Sequence, residues 1–277
     1  MFTGQGSQKK GMGAEVFGHY PGLVQFTSDV LGYDIVSLCT EDPDSLLART
    51  EYTQPALYVV NALHTFERVH QEDRSADFYL GHSLGEYNAL LAAGVFDFET
   101  GLRLVARRGE LMAAASDGGM TAVMDAPAEQ LQKIFAEDGV DGVDIAGFNT
   151  GSQLTIAATA PVLTTAHASL QQRDIRFVPL RVSAPFHSRY MEPARVQFAA
   201  FLEQFRFAEP TAPVISNVTA RPYEPGQVAH MLTEQLVAPV RWADSVRALL
   251  DGDEGLEFTE IGGFTLTQMV HKIKAGV

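Results

Sequence analysis

The segment Gly81-His82-Ser83-Leu84-Gly85 constrains the fold of this chain more than any other. It follows the short apolar run Phe78-Tyr79-Leu80, which predicts a strand, and precedes helix-favouring residues at 86–93. A strand, a tight turn and a helix in this order are typical of a parallel α/β sheet. The segment therefore predicts an α/β fold.

The same segment matches G-x-S-x-G, the pattern of a nucleophile elbow. Glycine is needed on both sides of such a turn, because side chains there would clash with neighbouring backbone. The serine hydroxyl then projects at the helix N-terminus, where unpaired N–H groups and the helix dipole favour developing negative charge. An ordinary glycine-rich turn can match the pattern by chance, but the strand before it and the helix after it favour Ser83 as a nucleophile.

A nucleophilic serine needs a base, and sequence periodicity does not select one of the eight histidines. His82 neighbours the serine, but adjacent residues on a tight turn point apart, so His82 is expected to shape the site. His187 lies in a loop directly after a predicted strand, where catalytic groups are common. His187 is therefore favoured, although the residues alone leave the choice open. The other histidines, in polar or helical contexts and expected at the surface, are His19, His64, His70, His167, His230 and His271.

An oxyanion hole needs two donors, each worth roughly 2.7–4 kcal/mol of barrier. One would be the backbone N–H of Leu84, the residue after the nucleophile. The other could come from the turn Gly4-Gln5-Gly6, whose glycines let a backbone amide approach a ligand closely. From the residues alone, an ordinary turn is the favoured interpretation of this second segment.

The middle of the chain, residues 119–181, has the alternating pattern βαββαβ of a ferredoxin-like unit. We predict it as a small subdomain inserted into a large domain formed by 1–118 and 182–277. The predicted elements of the insert are strand 120–124, helix 128–137, strands 143–146 and 154–158, helix 162–172 and strand 177–182. Those of the large domain include helices 55–69 and 191–205, strand 213–217 and a helix–strand–helix run that ends at Lys274.

Composition narrows the class of protein. With 46% hydrophobic and 19% charged residues, the chain is expected to form a well-cored enzyme-sized domain. No apolar run approaches the roughly 20 residues that span a bilayer, and no secretory signal opens the chain, so a cytoplasmic protein is expected. The single cysteine, Cys39, excludes an internal disulfide and a cysteine zinc site, and no metal centre is predicted.

The formal net charge of −14 argues against a nucleic-acid partner, because no tract rich in lysine and arginine interrupts it. An acidic partner would need a local basic patch on this acidic body. Scattered solubilising charges are the favoured interpretation of the cations that could form such a patch. The candidates are Lys9, Lys10, Arg189, Lys272 and Lys274.

Taken together, these segments resemble the malonyl-CoA:acyl carrier protein transacylases, and most closely the trans-acting acyltransferases of polyketide synthases of the disorazole synthase type. Several matching blocks in the same order are far more specific than one motif. The resemblance implies an α/β-hydrolase-like large domain with a ferredoxin-like small one. The matching blocks are Gly4 to Gln8, Thr53 to Ala56, Gly81 to Tyr87, Arg108 to Met112, Asn149, Phe186 to Ser188, Ser216-Asn217, Pro239 to Trp242 and Glu260 to Gly262.

The resemblance also implies roles for individual residues. Ser83 would be the nucleophile and His187 its base, in a dyad whose histidine is oriented by backbone carbonyls. Gln5 and Leu84 would be the oxyanion donors through their backbone N–H groups. The residues implied in substrate binding are Arg108, Met112, His82, Phe186, Gln54 and Asn149.

Arg108 matches the arginine with which this family binds the free carboxylate of its acyl group. A guanidinium can donate two parallel charge-assisted hydrogen bonds to a carboxylate, each worth about 1.5–3 kcal/mol. This predicts dicarboxylic acyl thioesters, whereas the alternative is a surface arginine like the neighbouring Arg107. Phe186 resembles the malonyl-selective form of its loop, in which the ring crowds out an α-methyl group.

The implied reaction is a ping-pong transfer of malonyl from coenzyme A to the phosphopantetheine of an acyl carrier protein, with no bound cofactor. The local sequence at 53–63 and 96–112 resembles the trans-acting polyketide type more closely, and this favours a role in polyketide synthesis over one in fatty-acid synthesis. An acyl hydrolase that clears stalled carrier proteins is an alternative, but it is expected to lack Arg108. An esterase triad with Asp141 or Asp144 and a non-catalytic docking protein are the others.

Two short segments depart from the pattern of the family. Gly262-Gly263-Phe264 replaces the usual Gly-Pro-Gly, and Thr3 stands where proline usually precedes the first Gly-Gln-Gly. Neither change involves a proposed catalytic atom, but both turns are expected close to the site.

Overall fold

The computed structural model describes residues 1–71, 76–115 and 117–276. Its α-helices and strands alternate along most of the chain. The helices are α1 (Pro21–Leu31), α2 (Ile35–Glu41), α3 (Thr50–Gln71), α4 (Gly85–Ala92), α5 (Phe98–Ala114), α6 (Ala128–Glu137), α7 (Ala160–Gln171), α8 (Glu192–Leu202), α9 (Val228–Glu234), α10 (Trp242–Gly252) and α11 (Thr265–Lys274). The strands are β1 (Tyr79–Leu80), β2 (Gly118–Met124), β3 (Asp144–Phe148), β4 (Gln153–Thr159), β5 (Phe177–Pro179) and β6 (Val214–Ile215).

A short parallel sheet carries the Gly81-to-Gly85 turn. β1 pairs in parallel with β6, with Tyr79 opposite Val214. On its other side β1 continues to Phe2, which forms parallel bridges to both Gly81 and Ile261. The predicted parallel α/β arrangement is thus confirmed. In open parallel sheets, ligands bind outside the carboxyl ends of the strands, which is where the Gly81-to-Gly85 turn lies.

A second sheet is antiparallel and has the strand order β3-β4-β2-β5. Its strands and helices follow each other as βαββαβ, the order predicted from the sequence. Leu131 and Ile134 of α6 and Leu163 and Leu170 of α7 pack on this sheet in a core of their own. One part of the antiparallel sheet therefore has a hydrophobic core of its own, while Met120, Ala146 and Ala157 belong to the large core that also holds Val214 of the parallel sheet.

The predicted strand 177–182 is wrong at its end, because β5 stops at Pro179. The Val182 N–H donates to the Leu180 carbonyl at 2.9 Å, a turn of two residues that takes the chain away from the sheet. Periodicity extended the strand because Leu180 and Val182 are apolar, but these side chains line a cavity instead. Tertiary position thus overrides the strand propensity of these two residues.

Two predicted helices also differ at their ends. Predicted helix 191–205 is an α-helix only over Glu192–Leu202, preceded by a single 3₁₀ turn at Arg189–Met191. The Phe205 N–H bonds back three residues to Leu202, so the last turn tightens and the helix ends. Predicted helix 55–69 is longer in the structure, because α3 begins at Thr50 and continues through Pro55.

The largest core packs around α3, α4 and α5, and α4 is buried from Gly85 to Leu91. A helix surrounded by protein on all sides is held firmly, so the turn that precedes it is fixed as well. No helix in residues 1–71, 76–115 and 117–276 is both long enough and apolar enough to span a bilayer.

The two departures from the family pattern lie against each other. A Cβ atom built on Gly263 would be 3.2 Å from Cγ2 of Thr3, so the glycine leaves room for the threonine methyl group. Gly262 has a φ of +91°, and a Cβ atom there would lie 2.1 Å from Oδ1 of Asn61. The first glycine of this turn is thus required by its backbone, and the second accommodates Thr3.

Candidate active site

The turn between β1 and α4 holds Ser83 in a strained conformation, with a φ of +53°. Such values are uncommon outside glycine and cluster at functional sites. A Cβ atom on Gly81 would lie 2.0 Å from the carbonyl carbon of Gly85. A Cβ atom on Gly85 would lie 2.1 Å from the backbone oxygen of Phe2. Both glycines are thus required by close backbone approach, which leaves the serine side chain projecting from the turn.

His187 lies in line with the serine. The Nε2 atom of His187 is 2.7 Å from Oγ of Ser83, and its Nδ1 atom is 2.7 Å from the backbone oxygen of Gln235. A carbonyl only accepts hydrogen bonds, so Nδ1 carries the proton and Nε2 accepts from the serine hydroxyl. Burial, together with the charge of Arg108, lowers the pKa of His187 to about 3. The imidazole is therefore neutral at pH 7 and can take the serine proton.

Arg108 reaches the serine from α5 and is 1% exposed. Its Nη2 atom donates to Oγ of Ser83 at 3.1 Å and to Oε1 of Gln235 at 2.9 Å, and its Nη1 atom donates to Oε1 of Gln54 at 2.7 Å. By contrast, Arg107 is exposed and pairs with Glu110. Arg108 is thus a buried cation beside the Ser83 hydroxyl and not a surface arginine.

The Gly4-Gln5-Gly6 turn packs directly against the serine turn. A Cβ atom on Gly4 would lie 2.3 Å from the His82 oxygen and 3.7 Å from the Leu84 nitrogen. Within the described part of the chain, the backbone N–H groups of Gln5 and Leu84 donate to no other group. Both residues line the cavity in front of Ser83. Two free backbone donors are therefore available to an oxygen in that cavity.

A cavity of about 220 Å³ opens in front of the serine. All ten residues that the sequence analysis assigned to the site line it, although they come from distant parts of the chain. These are Gln5, Gln54, His82, Ser83, Leu84, Arg108, Met112, Asn149, Phe186 and His187. The cavity lining that the sequence analysis did not foresee includes Met120, Gln153, Thr155, Leu180, Val182, Val240 and Met269.

His82 points away from Ser83 and joins the turn to the antiparallel sheet. Its Nε2 atom is 3.1 Å from Oδ1 of Asn149, whose Nδ2 atom donates to Oγ1 of Thr155 at 3.0 Å. Because the Asn149 amide nitrogen is used by the threonine, its oxygen accepts from His82. Burial lowers the pKa of His82 as well, so a neutral imidazole spans the two sheets.

The acyl transferase domain family matches residues 1–273. The chain belongs to this family. It is 46% identical over 277 residues to the polyketide biosynthesis malonyl CoA-acyl carrier protein transacylase BaeC of Bacillus velezensis, covering 99% of this chain and 96% of BaeC. It is 47% identical to the polyketide biosynthesis protein PksE of Bacillus subtilis, but spans only 36% of that longer protein. Its structure is similar to that of a malonyl CoA-acyl carrier protein transacylase from Burkholderia pseudomallei, with a TM-score of 0.97, 50% identity and coverage of 100% and 97% of the two chains.

Asn217 holds the serine turn of the acyltransferase in place. Its Oδ1 atom accepts from the Ser83 N–H, and its Nδ2 atom donates to the Gly81 oxygen, both at 2.7 Å. The side chain of Asn217 thus replaces the backbone partners that the strained turn lacks. The resemblance included Asn217 among its matching blocks, but no residue pattern indicated this function.

Gln235 is the residue of the acyltransferase site that sequence reasoning missed entirely. Its backbone oxygen accepts from His187, and its Oε1 atom accepts from Arg108. Its Nε2 atom donates to the backbone oxygen of Ser83 at 3.0 Å. It follows α9 in a stretch without glycine or another motif residue. No local signal could have identified it, because its partners are 48 to 152 residues away.

The carboxylates proposed for an esterase triad do not orient His187 in this acyltransferase. Asp144 is bound by Arg189, whose Nε atom donates to both carboxylate oxygens, at 2.8 and 3.0 Å. Asp141 is exposed, and the Gln235 oxygen occupies the Nδ1 side of the histidine. The same ion pair corrects the suggestion that Arg189 is a free cation for docking. Lys9, Lys10 and Lys272 are exposed, and Lys274 donates to the Leu256 oxygen.

Proposed function

We propose that this acyltransferase transfers malonyl from coenzyme A to the phosphopantetheine thiol of an acyl carrier protein, through an ester on Ser83. One observation carries the proposal. A buried guanidinium, that of Arg108, donates to the nucleophilic oxygen itself at 3.1 Å. A carboxylate bound by this guanidinium would hold the carbonyl carbon of a short dicarboxylic acyl group close to Ser83.

In the first half-reaction, His187 acts as the general base. Its Nε2 atom takes the Ser83 hydroxyl proton while Oγ attacks the thioester carbonyl carbon. The backbone N–H groups of Gln5 and Leu84 stabilise the oxyanion. The C–S bond then breaks, and the coenzyme A thiolate leaves with the proton from His187. The malonyl ester on Ser83 remains.

In the second half-reaction, the same groups act again, but the incoming thiol is now the nucleophile and Ser83 Oγ is the leaving group. His187 takes the proton of the phosphopantetheine thiol, and the thiolate sulfur attacks the ester carbonyl. The tetrahedral intermediate collapses with loss of Ser83 Oγ, which recovers the proton from His187. Neither half-reaction requires a metal or a bound cofactor, so we propose that the enzyme uses none.

Arg108 provides the choice of acyl group in this proposal. In the described residues its donors bond to neutral oxygens, those of Gln54, Gln235 and Ser83. An acyl carboxylate is a stronger acceptor than these groups and displaces them. Acetyl has no carboxylate and leaves the guanidinium without this partner. We assign to Phe186, which is buried at the cavity wall, the exclusion of an α-methyl group.

Two further proposals concern the setting of the reaction. The strand order and the βαββαβ connections support a ferredoxin-like subdomain at 119–181 in an α/β-hydrolase-like domain formed by 1–118 and 182–277. The polyketide relatives support a role beside a polyketide synthase that lacks its own acyltransferase, in the cytoplasm, where coenzyme A thioesters are made. Fatty-acid synthesis is the second candidate, and a test of acyl transfer to carrier proteins of both kinds separates the two.

Intact-mass spectrometry after brief incubation with malonyl-, methylmalonyl- and acetyl-CoA tests the proposal. We expect a malonyl adduct on Ser83, much less methylmalonyl and acetyl, and loss of the malonyl preference in Arg108→Ala. Addition of a phosphopantetheine-bearing carrier protein should remove the adduct faster than water does. Equal labelling by acetyl-CoA that Arg108→Ala does not change would contradict the carboxylate role and favour the hydrolase alternative.

A further inference from the structure

Arg108 has an unusual electrostatic position. It is buried, yet in residues 1–71, 76–115 and 117–276 no carboxylate lies within 4 Å of its guanidinium. Besides its three neutral acceptors, it faces the ring of Tyr87, with 5.5 Å between guanidinium carbon and ring centre. A buried cation without a carboxylate is costly unless another charge compensates it from farther away.

A compensating charge acts on Arg108 from Glu86, the first residue after the Gly85 of the serine turn. It is 0% exposed, and it accepts hydrogen bonds from the Asn217 backbone N–H at 3.2 Å, from the Tyr223 hydroxyl and from the Gln235 amide. Burial raises the pKa of this carboxyl group to about 7, and the three donors oppose the rise by favouring the ionised carboxylate. The proposed mechanism does not use Glu86, although it is a buried acid beside the reacting groups.

The amide of Gln235 connects the two charges. Its nitrogen donates to Glu86 and to the Ser83 oxygen, and its oxygen accepts from Arg108 at 2.9 Å. Above its pKa of about 7 the Glu86 carboxylate is ionised and can only accept, so the amide nitrogen must then face Glu86 and the oxygen must face Arg108. In the reversed orientation, the amide would direct N–H groups at the guanidinium, which also only donates. The carboxylate thus selects the orientation that gives Arg108 its acceptor.

We propose that Glu86 is a positioning residue that sets the substrate specificity of the enzyme by fixing the Gln235 amide and, through it, Arg108. This inference rests on the proposed function, in which Arg108 binds the acyl carboxylate. The indirect arrangement has a physical reason. A carboxylate bonded directly to Arg108 would occupy the donors that the acyl carboxylate needs, whereas a neutral amide is a weaker competitor. Glu86 thus orders the guanidinium without blocking it.

The test compares acylation rates of Ser83 with malonyl-CoA and acetyl-CoA in Glu86→Gln. The ratio of the two rates should fall by about tenfold or more, because the freed amide no longer holds Arg108 and only the carboxylate-bearing substrate depends on it. The acetyl-CoA rate should remain within about threefold of wild type, since Ser83 and His187 keep their contacts. Tyr223→Phe is the matched control: it removes one hydrogen bond to Glu86 but keeps the charge and the Gln235 contact, so its ratio should stay that of wild type.

If Glu86→Gln does not fold, Gln235→Met tests the same link. It removes the amide but keeps the backbone oxygen that holds His187, and it should lower the ratio as Glu86→Gln does. Equal losses with both substrates, or an unchanged ratio, would overturn the positioning role. Failure of the proposed function looks different, since wild type would then not prefer malonyl-CoA and Arg108→Ala would have no effect on the ratio.

Discussion

Arg108 Nη2 and Ser83 Oγ are 3.1 Å apart, so the group proposed to bind the acyl carboxylate donates directly to the proposed nucleophile. The serine comes from the turn before α4, and the arginine comes from the middle of α5. The same hydroxyl also contacts His187, the proposed base. Substrate selection and bond formation therefore take place around one oxygen atom, which leads to the following predictions.

Arg108→Lys should lower malonyl-CoA labelling of Ser83 by roughly 10- to 100-fold, with little change for acetyl-CoA. An ammonium is a point charge and cannot reproduce the two parallel hydrogen bonds of the guanidinium. The matched control is Arg107→Lys, the same substitution one residue earlier on the exposed face of α5. A lysine variant that labels as fast as wild type with malonyl-CoA would show that two-point binding is not needed.

Acylation by acetyl-CoA should be nearly independent of pH from 8 down to about 5, because the folded-state pKa of His187 is lowered to about 3. A base stays active above its pKa, so loss of the rate belongs to more acidic solutions. Acetyl-CoA is chosen because its acyl group has no carboxylate of its own. Labelling rates measured across this range check the prediction, and a decline centred near the ordinary histidine pKa would contradict it.

The free energy of unfolding of Glu86→Gln, relative to that of wild type, should be higher at pH 8 than at pH 5. Burial raises the pKa of Glu86 from 4.5 to about 7, against the opposing hydrogen bonds from Tyr223 and Gln235. Between pH 4.5 and about 7, the folded wild type holds a proton on Glu86 that the unfolded chain has lost. The free energy of unfolding of wild type therefore falls as the pH rises through this range. The glutamine variant has no such pH dependence. Its free energy of unfolding relative to wild type should therefore increase by on the order of 3 kcal/mol from pH 5 to pH 8.

Urea unfolding at pH 5 and pH 8 measures this difference, and Glu129→Gln on the exposed side of α6 is the control. An equal difference between variant and wild type at both pH values would mean that Glu86 does not titrate in this range. Stabilisation together with loss of malonyl preference would be a trade-off between stability and specificity at one residue.

Asn217→Ala should slow labelling by malonyl-CoA and acetyl-CoA to the same extent. The substitution removes the acceptor of the Ser83 N–H and the donor to the Gly81 oxygen, and so releases the strained serine turn. Each buried group left unpaired costs about 1–3 kcal/mol, so the free energy of unfolding should also fall. Labelling and urea unfolding check both effects, and a loss confined to malonyl-CoA would contradict them.

Local sequence was sufficient wherever backbone sterics act over a few residues. The strand, the turn with its two glycines and the helix predicted the parallel α/β sheet and the projecting Ser83, because Gly81 and Gly85 have no space for a side chain. The alternating pattern at 119–181 predicted the order of strands and helices, because hydrophobic periodicity is also set by residues that are close together in the chain. Its failure at Leu180 and Val182, which line the cavity instead of extending β5, marks where packing decides over periodicity.

Only the tertiary structure decided which groups surround the serine. The Gln235 oxygen, and not Asp144, orients His187, and the Gln235 amide lies between Glu86 and Arg108. Contacts between residues 48 to 152 positions apart leave no trace in periodicity or spacing. Burial is also a property of the whole fold, and it determines both the neutral histidine and the weakly acidic Glu86. The sequence by itself predicted the proposed nucleophile and the architecture that presents it, while the charges and hydrogen bonds around it exist only once the chain has folded.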